Sequence, residues 1–325
     1  MNVQPALWGI FAVLVIIALA LDLGVFHKKA HQPSFKEALI WTLVWVALSL
    51  AFAGLTYFLT EQQKPGSGEQ LSLAFITGYL IEKSLSLDNI FVMAVVFRYF
   101  KIPPKYQHTV LYWGILGAVV FRAIVIIAGT AIFAKITWAH YIFGIILLYS
   151  AYKMLAEVDE EDDLENNLVV RWVKKLMPLA LDASPEKFVV VRQGILHMTP
   201  LLLCLLVIEV TDVMFALDSV PAIFSITTNF STADTFFIVF TSNIFAILGL
   251  RALYFVLAAG LDKFRYLKAA LVLILSFVGV KLLVQHHYEI PIWLSLTIIL
   301  TSLTGGVILS LLVSNKEEKA TVERP

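Results

Sequence analysis

Long apolar runs separated by short polar breaks dominate the chain. Nine of them are long enough to be read as helices that cross a bilayer, which takes about 20 residues each. They fall at 6–26, 38–60, 71–97, 108–134, 137–153, 196–224, 236–259, 267–285 and 291–313. Only Lys135 to His140 separates the fourth run from the fifth. The pattern predicts an all-α polytopic membrane protein, with residues 1–325 forming a single membrane domain. Ala18-Leu19-Ala20 resembles a leader cleavage site, but no Lys or Arg precedes the first run. Without that basic region the run reads as an uncleaved helix.

Composition points the same way. Hydrophobic residues make up 59% of the 325 and charged residues 15%, against roughly 45–50% and about 25% in soluble domains. Mean hydropathy is +0.84, and lipid is the simplest way to cover so much apolar surface. The formal net charge is zero, so there is no basic footprint for nucleic acid. The single cysteine, Cys204, excludes an internal disulfide framework and a cysteine-rich metal site. His27 and His31 are four apart, but no Glu follows His27 and both lie in a short polar loop, so they read as solvated.

The basic residues sort by side. Eighteen Lys and Arg fall in one set of alternate loops, three (Lys64, Lys135, Lys281) in the other, and Lys83, Arg122 and Arg251 lie inside spans. The positive-inside rule then puts the N-terminus outside and the C-terminus in the cytoplasm. The one long loop, 154–195, is cytoplasmic on this reading. It opens with an acidic run from Glu157 to Glu165, read as a solvated loop or as a cation antenna. From Asn167 to Met177 it carries Arg171, Lys174 and Lys175 on one helical face, the pattern of a basic amphipathic helix on the inner leaflet.

The spans also repeat. Glu82, Asp88 and Asn89 match Asp212, Asp218 and Ser219 at an offset of 130. Ile115-Leu116-Gly117 before Arg122 matches Ile247-Leu248-Gly249 before Arg251 at 129–132, and Leu147 to Lys153 matches Leu275 to Lys281 at 128. Three ordered matches predict a 3+3 repeat: 71–153, then the loop, then 196–285, with helices 1 and 2 peripheral and 291–313 last. By the charge sorting the two halves are inverted. Inverted repeats mark secondary transporters, whose sites lie near the midplane.

Six carboxylates fall inside the spans: Asp22, Glu82, Asp88, Glu209, Asp212 and Asp218. A charge at the bilayer centre costs about 2.5–3.5 kcal/mol on insertion scales, so stability does not explain them. Lys83, Arg122 and Arg251 cannot neutralise the five in the repeats, which leaves charge for protons or for a transported cation. Arg122 and Arg251 read either as paired glue or as gates that replace the ion in the empty state. Residues six apart on a helix are separated by about 9 Å along the axis and about 120° around it. Asp212 and Asp218 therefore share an ion only if the helix unwinds; otherwise the acids form a ladder. Pro221, which frees the carbonyl of Leu217 beside Asp218, is a reason to unwind. Glu209 and Asp212, three apart, share a face. The donors are all oxygen, which suits Mg²⁺, Ca²⁺ or Mn²⁺; spacing does not choose among them.

Glu82-Lys-Ser-Leu-Ser-Leu-Asp88-Asn89, Glu209-Val-Thr-Asp212-Val-Met-Phe-Ala-Leu-Asp218-Ser219-Val-Pro221 and Thr241-Ser242-Asn243 through Gly249-Leu-Arg251 to Tyr254 resemble the TerC family, most closely its Alx-like branch. The likeness runs from Leu21-Asp22 to the ninth helix. The resemblance implies a LysE-type transporter of the bacterial inner membrane that exports Mn²⁺, with a historical link to tellurium resistance. It implies Glu82, Asp88, Glu209, Asp212 and Asp218 as metal-path residues, supported by Asn89, Ser219 and Asn243. Arg122, Arg251 and Lys83 are the gating or counter-charge candidates. No permanently bound cofactor and no catalytic residue are expected; Mn²⁺ is cargo. An empty acid cluster would carry protons that a cytoplasmic cation displaces, which is antiport.

Two other classes compete. A pair of membrane aspartates suggests an intramembrane aspartyl protease, but Phe215-Ala216-Leu217 stands where the usual glycine motif would lie beside Asp218. A non-transporting scaffold of a tellurium or metal stress-response complex would bind a soluble partner through 154–195. A homo-oligomer is compatible with either reading.

Overall fold

The structure is a computed structural model that describes residues 5–26, 34–135, 139–156, 187–258, 266–284 and 290–322, with isolated positions 178, 180 and 288. Among them are ten helices and one hairpin: α1 (Pro5–Phe26), α2 (Phe35–Gln63), α3 (Ser67–Tyr99), α4 (Pro104–Lys135), α5 (Ala139–Ala156), β1 (Val189–Arg192), β2 (Ile195–Met198), α6 (Pro200–Phe224), α7 (Thr232–Leu248), α8 (Leu250–Ala258), α9 (Leu267–Val284) and α10 (Ile292–Val322). Hydroxyl caps start several of them. Ser34 Oγ accepts from Glu37 N, Ser231 Oγ from Asp234 N and Thr199 Oγ1 from Leu202 N, which satisfies N–H groups that a helix start leaves open.

A helix lies on each of the nine predicted runs, the seventh as α7 and α8, bent by 44° at Gly249. By length and composition α2, α4, α6 and the stretch Trp293–Ser310 of α10 are long and apolar enough to cross a membrane, and α7 with α8 makes a fifth. In α3, Glu82, Lys83 and Asp88 fall within seven residues, so this helix, which carries part of the candidate chemistry, has a diluted apolar signal.

Three readings meet the structure here, two as corrections and one, the unwinding of the sixth helix, as a choice between alternatives left open. The sixth run does not begin at 196, because Ile195–Met198 pairs antiparallel with Val189–Arg192 around Gln193 and Gly194, at φ 52° and 77°. Two positive φ angles define the tight primed turn that suits hairpins, and Pro200 then opens α6. Second, α6 does not unwind at Pro221 but runs on to Phe224; the proline is near the helix end, where few hydrogen bonds remain to lose. The break falls at Gly249 instead. Third, Lys281 is not in an outer loop. It lies in α9, 4% exposed, and donates to Ser295 Oγ of α10 at 2.8 Å.

α3 is the central helix and touches α2, α6, α7, α8, α9 and α10. It packs mainly on α7 and α2, while α4 packs on α6 and α5 lies along α9. Exchanging α3–α4–α5 with α6–α7/α8–α9 turns the α3–α7 contact into α6–α4 and leaves α5–α9 and α3–α6 in place. At the α5–α9 crossing, a Cβ on Gly144 would lie 3.0 Å from the Gly279 carbonyl and one on Gly279 3.1 Å from that of Gly144. Each glycine also faces the other helix's leucine, Leu283 or Leu148, four residues beyond its counterpart. This reciprocal contact relates the two helices at an offset of 135, seven away from the register read in the sequence. Small residues are what let helices approach so closely in lipid.

α1 and α2 seat an aromatic cluster of Phe11, Phe52, Phe75, Phe237 and Phe245 on α3 and α7, with Phe52 and Phe245 centroids 4.8 Å apart. The outer faces are apolar. Val120, Phe121, Ile124 and Ile127 of α4 are exposed at helical spacing, as a lipid-facing stripe requires.

Candidate cation site

Residues seven apart lie on one face of a helix, since two turns take 7.2 residues. α3 thus presents Glu82 and Asn89 together, and α6 presents Asp212 and Ser219. The two faces meet where α3, α4, α6 and α7 converge, and Arg122 of α4 enters between them. Its Nε donates to Asp212 Oδ2 at 3.1 Å and its Nη2 to Asp212 Oδ1 at 2.8 Å. Its Nη1 donates to Glu82 Oε1, to Asn243 Oδ1 at 3.1 Å and to Ser219 Oγ at 3.4 Å. Asn243 Nδ2 donates to Glu82 Oε2 at 2.8 Å, and Asn89 Nδ2 to Asp212 Oδ1 at 3.1 Å. All six side chains are buried, Glu82 and Asn243 completely.

The cluster holds two carboxylates, two amides and a hydroxyl around one positive charge. A guanidinium fork matches a carboxylate in two parallel bonds, and Asp212 receives it so. The cluster's formal charge is −1 with both acids ionised. An apolar set of equal volume would fold at least as readily, so the arrangement is read as functional.

Glu209 sits one turn before Asp212 on the same face of α6. Its Oε2 is buried and has no hydrogen-bond partner among the described residues. Its carboxylate lies against Gly117 of α4, where a Cβ would fall on the carboxylate carbon and both oxygens. Glu209 and Asp212 line a small cavity of about 10 Å³, room for about one water, with Met93, Gly114, Ala118 and Arg251. Arg251 Nη1 is 3.3 Å from His108 Nε2 in the first turns of α4. Lys83 takes no part in the cluster. Its Nζ donates to Ala246 O at 3.2 Å, in the last turn of α7, and stands 6.0 Å from the Tyr79 ring centroid. The final carbonyls of a helix lack intrahelical partners and carry partial negative charge, so α7 itself is Lys83's counterpart.

Of the residues singled out in the sequence, then, Glu82, Asn89, Asp212, Ser219, Asn243 and Arg122 come together, and Glu209 adjoins them. Asp218 does not. It is half-buried and accepts from Ser150 Oγ of α5 at 2.9 Å. The side chains of Asp22 and Asp88 lie outside the described residues, as do the acidic run and the basic amphipathic segment of the 154–195 loop. Among the described residues no three His, Cys, Asp or Glu side chains are grouped to hold a metal ion. Ser150, His108 and Gly117 were not identified as site neighbours from sequence. The signals present were the places of Gly117 and Ser150 in the repeat motifs.

An apolar helical bundle that buries carboxylates at its centre belongs to the class of polytopic integral membrane proteins. The model of the integral membrane protein TerC family matches residues 67–318. An uncharacterised membrane protein of Myxococcus xanthus is 44% identical over 322 residues, 99% of this chain and 97% of that one. Proteins named "Putative membrane-bound redox modulator Alx" are 43% identical in Salmonella typhi and 42% in Escherichia coli K12, each over 317 residues, 97% of both chains. No solved structure matches. The chain belongs to the TerC family of integral membrane proteins.

Proposed function

We propose that this protein exports a divalent metal cation across the bacterial inner membrane, with Mn²⁺ as the cargo, in exchange for protons. The observation that carries the reading is the convergence of Glu82, Asp212, Ser219 and Asn243 on a single buried cation, the Arg122 guanidinium, with Asn89 bonded to Asp212. Oxygen donors with net negative charge at membrane depth form a cation site. The family resemblance favours Mn²⁺ as the cation and a LysE-type transporter as the class. The symmetric exchange of helix contacts supports an inverted repeat with the site at its centre.

The basic loops set the orientation, with N-terminus outside and C-terminus inside. On that orientation α4 and α6 begin, and α8 ends, at the cytoplasmic side. The cavity beside Glu209, Asp212 and Arg251 then lies in the cytoplasmic half, the side from which an exported ion enters. Asp218, beside Ser150, lies on a later part of the path. The relatives' names speak of redox modulation; within this sequence the one thiol is Cys204, buried in α6, so no thiol pair carries that reading. The scaffold reading rests on the 154–195 loop and gains nothing from the cluster.

The test is Mn²⁺ flux by the purified full-length chain in proteoliposomes under an imposed pH gradient. Metal flux out of the cytoplasmic face should rise as the opposite compartment is acidified and fall as the cytoplasmic side is acidified. No flux at any gradient would reject transport. Flux indifferent to both pH values would replace antiport with a uniporter driven by the metal gradient.

A further inference from the structure

We infer that Arg122 is a tethered competitor for the transported cation: its guanidinium occupies the oxygens that the metal must use, and loading proceeds by its displacement. The inference rests on the metal-export reading above and deepens it.

The contacts are specific to this arginine. Its three nitrogens engage Glu82, Asp212, Ser219 and Asn243. The remaining candidate donor, Asn89, is turned toward Asp212. Lys83 and Arg251 are directed elsewhere, to a backbone carbonyl of α7 and to His108. A divalent ion needs oxygens at about 2.0–2.6 Å; Asp212 Oδ1 and Oδ2, Glu82 Oε1, Ser219 Oγ and Asn243 Oδ1 each face a guanidinium hydrogen, so an ion bound among them would lie against a like charge. Entry of the ion and withdrawal of Arg122 are therefore one event.

The arrangement also fits the arginine's chemistry. Guanidinium stays charged, so the acids are never left without a counter-charge when the ion departs. Its planar fork fixes both carboxylates in place for the next ion. The Glu209 carboxylate, which has an unpartnered buried oxygen and borders the cavity, is placed to meet an arriving ion before Arg122 yields.

The experiment measures Mn²⁺ binding to the detergent-solubilised full-length chain, by loss of the free-Mn²⁺ paramagnetic resonance signal, for wild type, Arg122→Gln and Arg122→Lys. Competition predicts binding tighter by about tenfold or more in Arg122→Gln, a factor of ten being about 1.4 kcal/mol. Arg122→Lys keeps the charge but loses the fork, so it should bind a few-fold more tightly than wild type. The Lys variant decides the matter if Arg122→Gln fails to fold with two unpaired acids. Wild-type affinity in Arg122→Lys would mean the arginine acts through space by its charge alone, and weaker binding would mean that it orders the ligands; either overturns displacement. The export reading fails separately, if the wild-type chain neither binds Mn²⁺ saturably nor transports it.

Discussion

Gly117→Ala tests the acid path without touching an acid. The new methyl group falls on the carboxylate of Glu209, the mobile end of a flexible side chain. Relief requires the carboxylate to retreat by about 1.5 Å, to ordinary contact near 3.5 Å. An off-rotamer side chain costs about 0.5–1.5 kcal/mol. Replacing an interior helical glycine by alanine returns about 0.8–1.0 kcal/mol. The two nearly cancel, so the folded protein should change in stability by no more than about 1 kcal/mol. Function should not be spared, because metal–oxygen distances fall within about 2.0–2.6 Å and a displacement of about 1.5 Å takes Glu209 outside that range. The assay is Mn²⁺ efflux from loaded cells, normalised to the amount of protein in the membrane fraction, beside thermal unfolding of the purified chain. Efflux should drop about tenfold or more with abundance and melting near wild type. Full efflux would show that the position of Glu209 is immaterial. Loss of the folded protein would show that the helices, not the carboxylate, take the strain.

Other substitutions separate site from scaffold. Asp212→Asn removes the charge that holds Arg122 in a two-point grip, and breaking a buried pair costs about 3–5 kcal/mol; export should be abolished and the melting temperature lowered. Asp218→Asn, whose partner is the Ser150 hydroxyl, should abolish export with little loss of stability. Wild-type transport in either would make that acid structural. Gly144→Leu, placed against the Gly279 carbonyl and Leu283, should force α5 from α9 and reduce the folded fraction, read by size-exclusion chromatography; an unchanged profile would refute the close crossing. Reporter fusions after Lys64 and after Lys187 should lie on opposite sides of the membrane, and the same side for both would overturn the orientation.

The helices were legible in the sequence because burying or facing lipid both demand apolar side chains, so each segment announces itself whatever its neighbours. The hairpin at 189–198 was not, although Val189-Val190-Val191-Arg192 followed by Gln193-Gly194 is a strand-and-turn signal; its second strand runs into α6 with only Thr199 between. Helical spacing already implied that Asp212 and Asp218 face different ways on an unbroken helix, and the structure gives them different partners, Arg122 and Ser150. Which of three basic residues would meet the acids was not readable. Lys83 is adjacent to Glu82 in sequence yet reaches α7, while Arg122 is 40 residues away and enters the cluster. Pairing of that kind is settled by how helices cross, and one sequence carries no record of it. Proline at 221 drew attention to the wrong break for a related reason: its cost depends on how near the helix end falls.

The bend at Gly249 has a consequence for how this protein can drift. A Cβ at 249 would approach Lys83 Nζ to 2.8 Å and the Trp45 Cβ to 3.0 Å, and Lys83 donates to a carbonyl at the helix end that the bend creates. A lineage that straightened the α7–α8 junction would take from the Lys83 ammonium its carbonyl acceptor. One that lost the lysine would leave a carbonyl of α7 without its donor. Neither change is tolerable first, and both are tolerable together. Positions 83 and 249 should therefore covary among TerC proteins, and a double replacement should be milder than the sum of its two halves.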